Sequence, residues 1–312
     1  MRPVISFDWA IKRLLRQKAN YGILEGFLSE LLKEDVEIQH IPESESNPEH
    51  ALDKTNKVDI VCINQKGEIF LIELQYYSEH DYFHRMLYGT SKLITDYLKA
   101  GEPYGQVKKV YSINIVYFDL GQGLDYIYHA KNVFLGLHHD DILQFNKNQV
   151  EKFGKTQIHQ IYPEYFIIKV NNFDNIAKES LDEWVYYLKN NDLPVAFKAK
   201  GLEKVEAQLK VDAMTITEKI NYEAHLKNLA ISQSMLETAQ MEGKSEGRIE
   251  GKLEGKLEGK LEGKLEGKLE GEIQKAKFVA NKLIIRGFTN GDIAELTGLG
   301  IEEIKTLRKE LN

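Results

Sequence analysis

Three side chains in "VDIVCINQKGEIFLIELQ" could hold a hard cation: Asp59 near the start of one apolar run, and Glu73 and Gln75 near the end of the next. The intervening "NQKGE" fits a type I turn at Gln65 and Lys66 with Gly67 in the left-handed conformation, a common three-residue hairpin loop. That closure pairs Asn64 with Glu68, which brings Asp59 opposite Glu73. Side chains alternate along a strand, so the two carboxylates face one way with Cβ atoms roughly 5 Å apart, and Gln75 shares that face two residues on. Carboxylates so placed repel each other, and burying either one alone would shift its pKa rather than keep its charge. A divalent cation removes the conflict. Mg²⁺ takes one or two carboxylates, several waters and substrate phosphate oxygens, polarising the phosphoryl group and activating a water. Two plainer readings stand beside this one: Asp59 at a strand end paired with Lys57 or Arg85, and Glu73 facing solvent from an otherwise apolar strand.

Acids in strands need a sheet to hold them. Residues 7 to 34 carry apolar residues at helical spacing, among them Ile11, Leu14, Leu15, Ile23, Leu24, Phe27 and Leu28, which predicts one or two helices. The polar "PESESNPEHALDKTNK", 42 to 57, reads as a loop. After the hairpin the pattern predicts a helix from about Asp81 to Lys99 ending at Gly101, then a strand over 107 to 118. Weaker signals give a strand over 164 to 170 and a helix over 180 to 190. The order helix, strand, strand, helix, strand implies a mixed sheet flanked by helices, in the α/β or α+β class. Cys62, the single cysteine, fits as core filler and excludes an intrachain disulfide. No run of 18 apolar residues occurs, and the start carries charges where a signal peptide needs an apolar run, so the expectation is a cytoplasmic protein with no membrane partner. The net charge of −7 argues against nonspecific coating of nucleic acid. It is compatible with a carboxylate site whose cations supply the positive charge.

"KVDIVCINQKGEIFLIELQ", followed by "DYFHRMLYGTSKLITDYLKAGEPYGQVKKVYSINIVYFD", resembles the PD-(D/E)XK nuclease-family transposases, the recombination-promoting nuclease group, over roughly residues 5 to 195. The resemblance implies a restriction-endonuclease-like core in which Asp59 and Glu73 ligate the metal, Mg²⁺ with Mn²⁺ as a substitute. Gln75 then stands where the superfamily usually has lysine, as the E-x-Q form of this group does. Glutamine orients only by neutral hydrogen bonds, which fits slower chemistry or help from another cation. The resemblance also implies an acid from the first helix, with Glu25 as the candidate and Glu30 as its alternative. Arg85 could give its charge to a phosphate or serve a structural ion pair. The implied activity is metal-dependent DNA endonuclease cutting that promotes recombination or transposition. The alternative is a catalytically weak or inactive DNA-binding scaffold that keeps the fold. DNA is the expected partner, and a homodimer or higher homo-oligomer is expected, because cutting both strands needs two sites.

The rest of the chain offers weaker signals. Lys12, Arg13, Arg16 and Lys18 form a basic run on the first helix that could contact phosphates, though such runs are more often a solvated face. "HHDD", 138 to 141, reads as a loop, since consecutive residues seldom converge on one ion. Tyr76, Tyr77, Tyr82, Phe83 and Tyr88 could stack on bases but read first as core. The composition divides the chain into a nuclease-like domain at 1–200, a helical connector at 201–241, an EGKL repeat at 242–273 and a tail at 274–312. In a helix the four-residue period turns each stripe of like residues by about 40° per unit. Glu follows Glu and Lys follows Lys at i+4, and a glycine in every turn costs about 1 kcal/mol. The repeat is therefore expected to be a spacer that is helical when self-associated, as a right-handed coiled coil, and partly disordered otherwise. The tail resembles a helix-turn-helix: Thr289 and Asp292 make a capping box, Ala294 and Gly298 suit the turn, and Ile304 and Leu307 face inward. Lys305 and Arg308 are its DNA-binding candidates, with a small oligomerisation module as the equal alternative.

Overall fold

The computed structural model describes residues 4–13, 18–42, 60–211 and 214–311, without the side chains of Lys12 and Arg13. The chain forms two compact units, 1–223 and 224–312.

In the first unit the predicted N-terminal helical region is two helices, α1 (Phe7–Arg13) and α2 (Tyr21–Leu32). A short strand β1 (Ile38–His40) precedes the hairpin of β2 (Ile60–Asn64) and β3 (Ile69–Gln75). Then come α3 (Tyr82–Asp96), β4 (Val110–Val116), β5 (Ile127–Ala130), α4 (Lys147–Phe153), β6 (Glu164–Lys169), α5 (Ser180–Asn190) and α6 (Leu202–Gln208). The strands form one sheet in the order β1-β2-β3-β4-β6-β5. β3, β4 and β6 run parallel and the outer strands pair antiparallel, which makes a mixed sheet. Parallel neighbours need a crossover, and α3 provides the one between β3 and β4.

One face of the sheet carries Ile60, Cys62, Phe70, Ile72, Leu74, Ile113 and Ile168, packed against α1, α2 and α5. Phe7 anchors this layer, with edge-to-face contacts to Phe27, Trp184 and Tyr187. α2 and the start of α6 meet through glycine: a Cβ on Gly26 would lie 2.3 Å from the Lys200 carbonyl oxygen and 2.6 Å from the Gly201 Cα. Gly26→Ala is therefore expected to cost about 1–3 kcal/mol through overpacking, read as a lower denaturant midpoint with an unchanged slope. An unchanged midpoint would mean that the two helices separate at no cost. The opposite face packs on α3 through two apolar clusters, one around Ile63, Ile69 and Val110, the other around Tyr82, Met86 and Val116.

The connector expected over 201–241 is divided in the structure, because Leu202, Val205, Leu209 and Tyr222 are buried in the first core. Tyr222 also accepts a hydrogen bond from the Ser6 backbone N–H at 2.9 Å.

The second unit is dominated by α7 (Ile216–Ile285), followed by α8 (Asn290–Thr297) and α9 (Ile301–Glu310). The repeat is one uninterrupted helix in a single chain, where partial disorder was expected. Nucleation is the costly step of helix formation, and the ordinary helical sequence on both sides of the repeat removes it. Leu253, Leu257, Leu261, Leu265 and Leu269 are all exposed. A Cβ on Gly255, Gly259 or Gly263 would meet nothing within 4 Å. Alanine at these three positions is expected to stabilise the helix by about 1 kcal/mol each, seen in far-UV circular dichroism of the full chain as helicity retained to higher temperature. No change would mean that partners, and not intrinsic propensity, hold the helix.

Among the described residues no helix is long and apolar enough to cross a membrane.

Candidate active site

The hairpin turn forms as its residues require. Gly67 has φ +75° and donates to the Asn64 carbonyl at 2.9 Å, and the Asn64 backbone N–H donates to Glu68 at 3.1 Å. Val61 pairs with Leu71 and Ile60 with Ile72, the register that the turn predicts. Asp59, the next residue in sequence, lies outside the described residues. So does Arg16, and the side chains of Lys12 and Arg13 are not described.

Glu73 is buried at 4% exposure, on the face of the sheet turned to α3. The reading of a solvent-facing Glu73 is therefore overturned: β3 is an interior strand and α3 covers this face. Beside it on β4 lies the fully buried Asn114, whose side chain donates to the Ser112 hydroxyl and the Phe166 carbonyl and accepts from the Tyr82 hydroxyl. Such a polar floor holds its members in fixed orientations.

Arg85, on the first turns of α3, places one terminal nitrogen 3.7 Å from Glu73. Its other terminal nitrogen donates to both oxygens of Glu79, at 2.9 and 3.1 Å. The Gln75 amide donates to the same Glu79 at 2.8 Å. Burial works against the Arg85 charge, but Glu73 and Glu79 outweigh it and raise its pKa further. The structure thus brings Glu73, Gln75 and Arg85 together around Glu79. Glu79 is the residue that sequence reasoning missed; its only signal was an acid in the turn between β3 and α3, six residues before Arg85.

Glu25 does not join this group. Its carboxylate accepts from the Ile38 backbone N–H at 3.0 Å, on the α2 side of the sheet. There it adds to the burial that pushes the Cys62 thiol pKa up. Cys62 is an inert part of the core. Glu30 is also engaged elsewhere, accepting from the Lys200 backbone N–H. Among the described residues no three His, Cys, Asp or Glu side chains gather to hold an ion. The oxygen donors of Glu73 and Gln75 on one face still suit a hard divalent cation.

Around the site, Tyr82 is buried and Tyr76 stacks on Tyr117 at 4.3 Å, as core packing required. Tyr77, Phe83 and Tyr88 are exposed, contrary to that expectation, because they fall on the side of α3 and its preceding turn that faces away from the sheet. A hollow of about 550 Å³ opens at the other end of β3, on the α2 side, lined by Lys66, Glu68, His129, Lys155 and Glu164 among others. Its cations are largely matched by its own acids: Lys66 with Glu34, Lys155 with Glu68, and His129 with Glu164.

A family model described as PD-(D/E)XK nuclease family transposase matches residues 5–239. The chain belongs to that family. The sheet and its flanking helices agree with the restriction-endonuclease-like fold expected of a PD-(D/E)XK protein. Nucleases of this family generally use divalent metals, and their target is DNA. No curated protein and no solved structure matches the chain. The matched residues include the hairpin with Glu73 and Gln75.

In the tail, Thr289 caps α8, Ile304 is buried and Gly298 ends α8 at φ +72°, as the sequence predicts. "HHDD" is an exposed loop, with Asp140 in the left-handed region. Arg308 is engaged within the tail. It donates to the Asn290 side chain at 3.0 Å and to the Phe288 carbonyl at 2.7 Å, tying α9 to the start of α8. Lys305 is exposed and paired with Glu302 at 2.7 Å.

Proposed function

We propose that this protein is a metal-dependent DNA endonuclease that hydrolyses phosphodiester bonds and so promotes recombination or transposition-like cutting. The observation that carries this reading is a buried carboxylate, Glu73, kept on one face with Gln75 and beside Arg85 in a chain of the PD-(D/E)XK family. Glu73 and Asp59 would hold the cation, Mg²⁺ or Mn²⁺. Bound there, the cation supplies Lewis-acid stabilisation of the negative charge that grows on the phosphoryl group. With its amide nitrogen bonded to Glu79, Gln75 would offer its carbonyl oxygen to the site. It accepts a hydrogen bond from an attacking water or contributes a neutral oxygen donor. Arg85 offers a planar fork of donors to a phosphate. Phe83 and Tyr88, exposed on the outer side of α3, offer faces on which bases stack. Two copies acting together would cut both strands, and a cytoplasmic address is part of this reading.

A second reading, an inactive DNA-binding scaffold, draws on the absence of lysine at position 75 and on the Arg85 charge beside Glu73. The engaged Arg308 favours a packing or oligomerisation role for the tail over base reading.

The two readings part in one experiment. Purified protein is incubated with supercoiled plasmid and Mg²⁺, Mn²⁺, Ca²⁺ or EDTA, beside Asp59→Ala. Nicking that requires Mg²⁺ or Mn²⁺ and vanishes in the folded variant supports the nuclease. No cutting by the folded wild-type protein, with DNA binding retained, supports the scaffold.

A further inference from the structure

Two acids hold Arg85, and they hold it unequally. Glu79 binds it with short, two-oxygen hydrogen bonds at 2.9 and 3.1 Å. Glu73 stands 3.7 Å away, beyond hydrogen-bond reach, so only the electrostatic attraction of a long ion pair connects them. Glu79 is therefore the anchor of the guanidinium. Because Gln75 donates to the same Glu79 oxygen, a single carboxylate also fixes the amide on the metal-facing side of the sheet. The Glu73 carboxylate is the deeper of the two, with side-chain exposure of 5% against 34%.

The geometry points to Arg85 as a counter-ion with which an arriving divalent cation must share Glu73, so that cation and phosphate bind each other's site cooperatively. This rests on the nuclease reading above. A cation at Glu73 lies within a few ångströms of the guanidinium charge and is repelled by it, which keeps the affinity for metal alone low. A phosphate at the site gives the guanidinium an anion that matches its fork, while Glu79 prevents it from swinging away. The phosphate then balances the guanidinium charge that opposed the cation at Glu73. By linkage, the cation tightens phosphate by the same factor as phosphate tightens the cation. No covalent bond changes in this exchange. Its consequence is a site that becomes fully loaded only on DNA.

The test is Mn²⁺ binding to the full-length protein, followed by electron paramagnetic resonance, with and without a short non-cleavable phosphorothioate duplex. For the wild-type protein the duplex should tighten Mn²⁺ by about 5- to 150-fold, the usual range of coupling between sites. Arg85→Met should bind Mn²⁺ about tenfold or more tightly than wild type without the duplex, and should lose most of the duplex effect. Arg85→Gln, neutral and polar, serves the same purpose if the Met variant does not fold, and Arg85→Lys should retain the weak affinity. Unchanged or weaker Mn²⁺ binding in the neutral variants, with binding still abolished in Glu73→Gln, overturns the proposal and leaves the nuclease reading intact. Mn²⁺ binding that is indifferent to Glu73→Gln overturns both.

Discussion

Glu73→Gln should reduce metal-dependent plasmid cutting by a factor on the order of 10²–10³, the usual loss when one group that stabilises transition-state charge is removed. The substitution keeps the size and hydrogen-bonding shape of the side chain and removes its charge, so the polar floor of Asn114, Ser112 and Tyr82 has no reason to rearrange. Arg85 keeps its anchor on Glu79. Stability should therefore change little, by about 1 kcal/mol or less, since loss of the long ion pair to Arg85 is offset by relief of carboxylate burial. The pairing of a large activity loss with an almost unchanged denaturation midpoint is what separates a metal ligand from a structural acid. A folded Glu73→Gln protein that cuts at the wild-type rate would place the chemistry elsewhere in the chain.

The largest stability effect is expected at the other end of the sheet. Lys109, almost fully buried, donates to the carbonyls of His159 and Tyr162 and to Glu164 at 2.8 Å, and His129 lies 2.8 Å from the second Glu164 oxygen. Burial pulls the Lys109 pKa down while Glu164 opposes the shift. Burial alone would raise the Glu164 pKa, but the hydrogen bonds from Lys109 and His129 outweigh it and hold the carboxyl below its usual value. Glu164→Gln leaves the ammonium without its counter-charge and should cost about 3 kcal/mol, the lower end for breaking a buried pair, because the two carbonyls still accept from Lys109. Lys109→Met combined with Glu164→Gln should cost less than the sum of the two single changes. The pH dependence follows from the depressed carboxyl pKa. The stabilisation is present in full above about pH 4.5, the ordinary carboxylate value, and is lost as pH falls through the lower folded-state value. Glu164→Gln should flatten that acid limb in urea melts taken across the range; an unchanged limb would assign it to other carboxylates.

Much of the site could be read before the fold was known, because the hairpin is governed by local rules. The glycine of "NQKGE" dictated the turn, the turn dictated the register, and the register dictated which residues share the face of Glu73. The helix over 180 to 190 gave a weaker signal, and it forms over Ser180–Asn190. Other elements left no such trace. β1 is three residues long and β5 four, too short for a pattern to show, so both owe their existence to neighbouring strands rather than to propensity. Glu25, named from the resemblance alone, accepts from the Ile38 backbone N–H, a contact made across the fold that no spacing within the first helices announces. Phe83 and Tyr88 were misread for a related reason: aromatic character is compatible with both burial and exposure, and only the packing of α3 decides. Glu79 is a turn residue whose importance arises from two hydrogen-bond partners that come from different elements.

The unbroken course of α7 through the repeat turns copy number into a rotational setting. Each four-residue unit adds about 6 Å of axial rise and about 40° of rotation. Inserting or deleting one unit would therefore move the α8–α9 module along the helix axis and swing it to a new bearing, measured from residue 242, while leaving every local contact of the module intact. About nine units complete a revolution, so variants of this chain with different repeat counts would act like a graduated dial: the same terminal module, aimed in a small set of discrete directions.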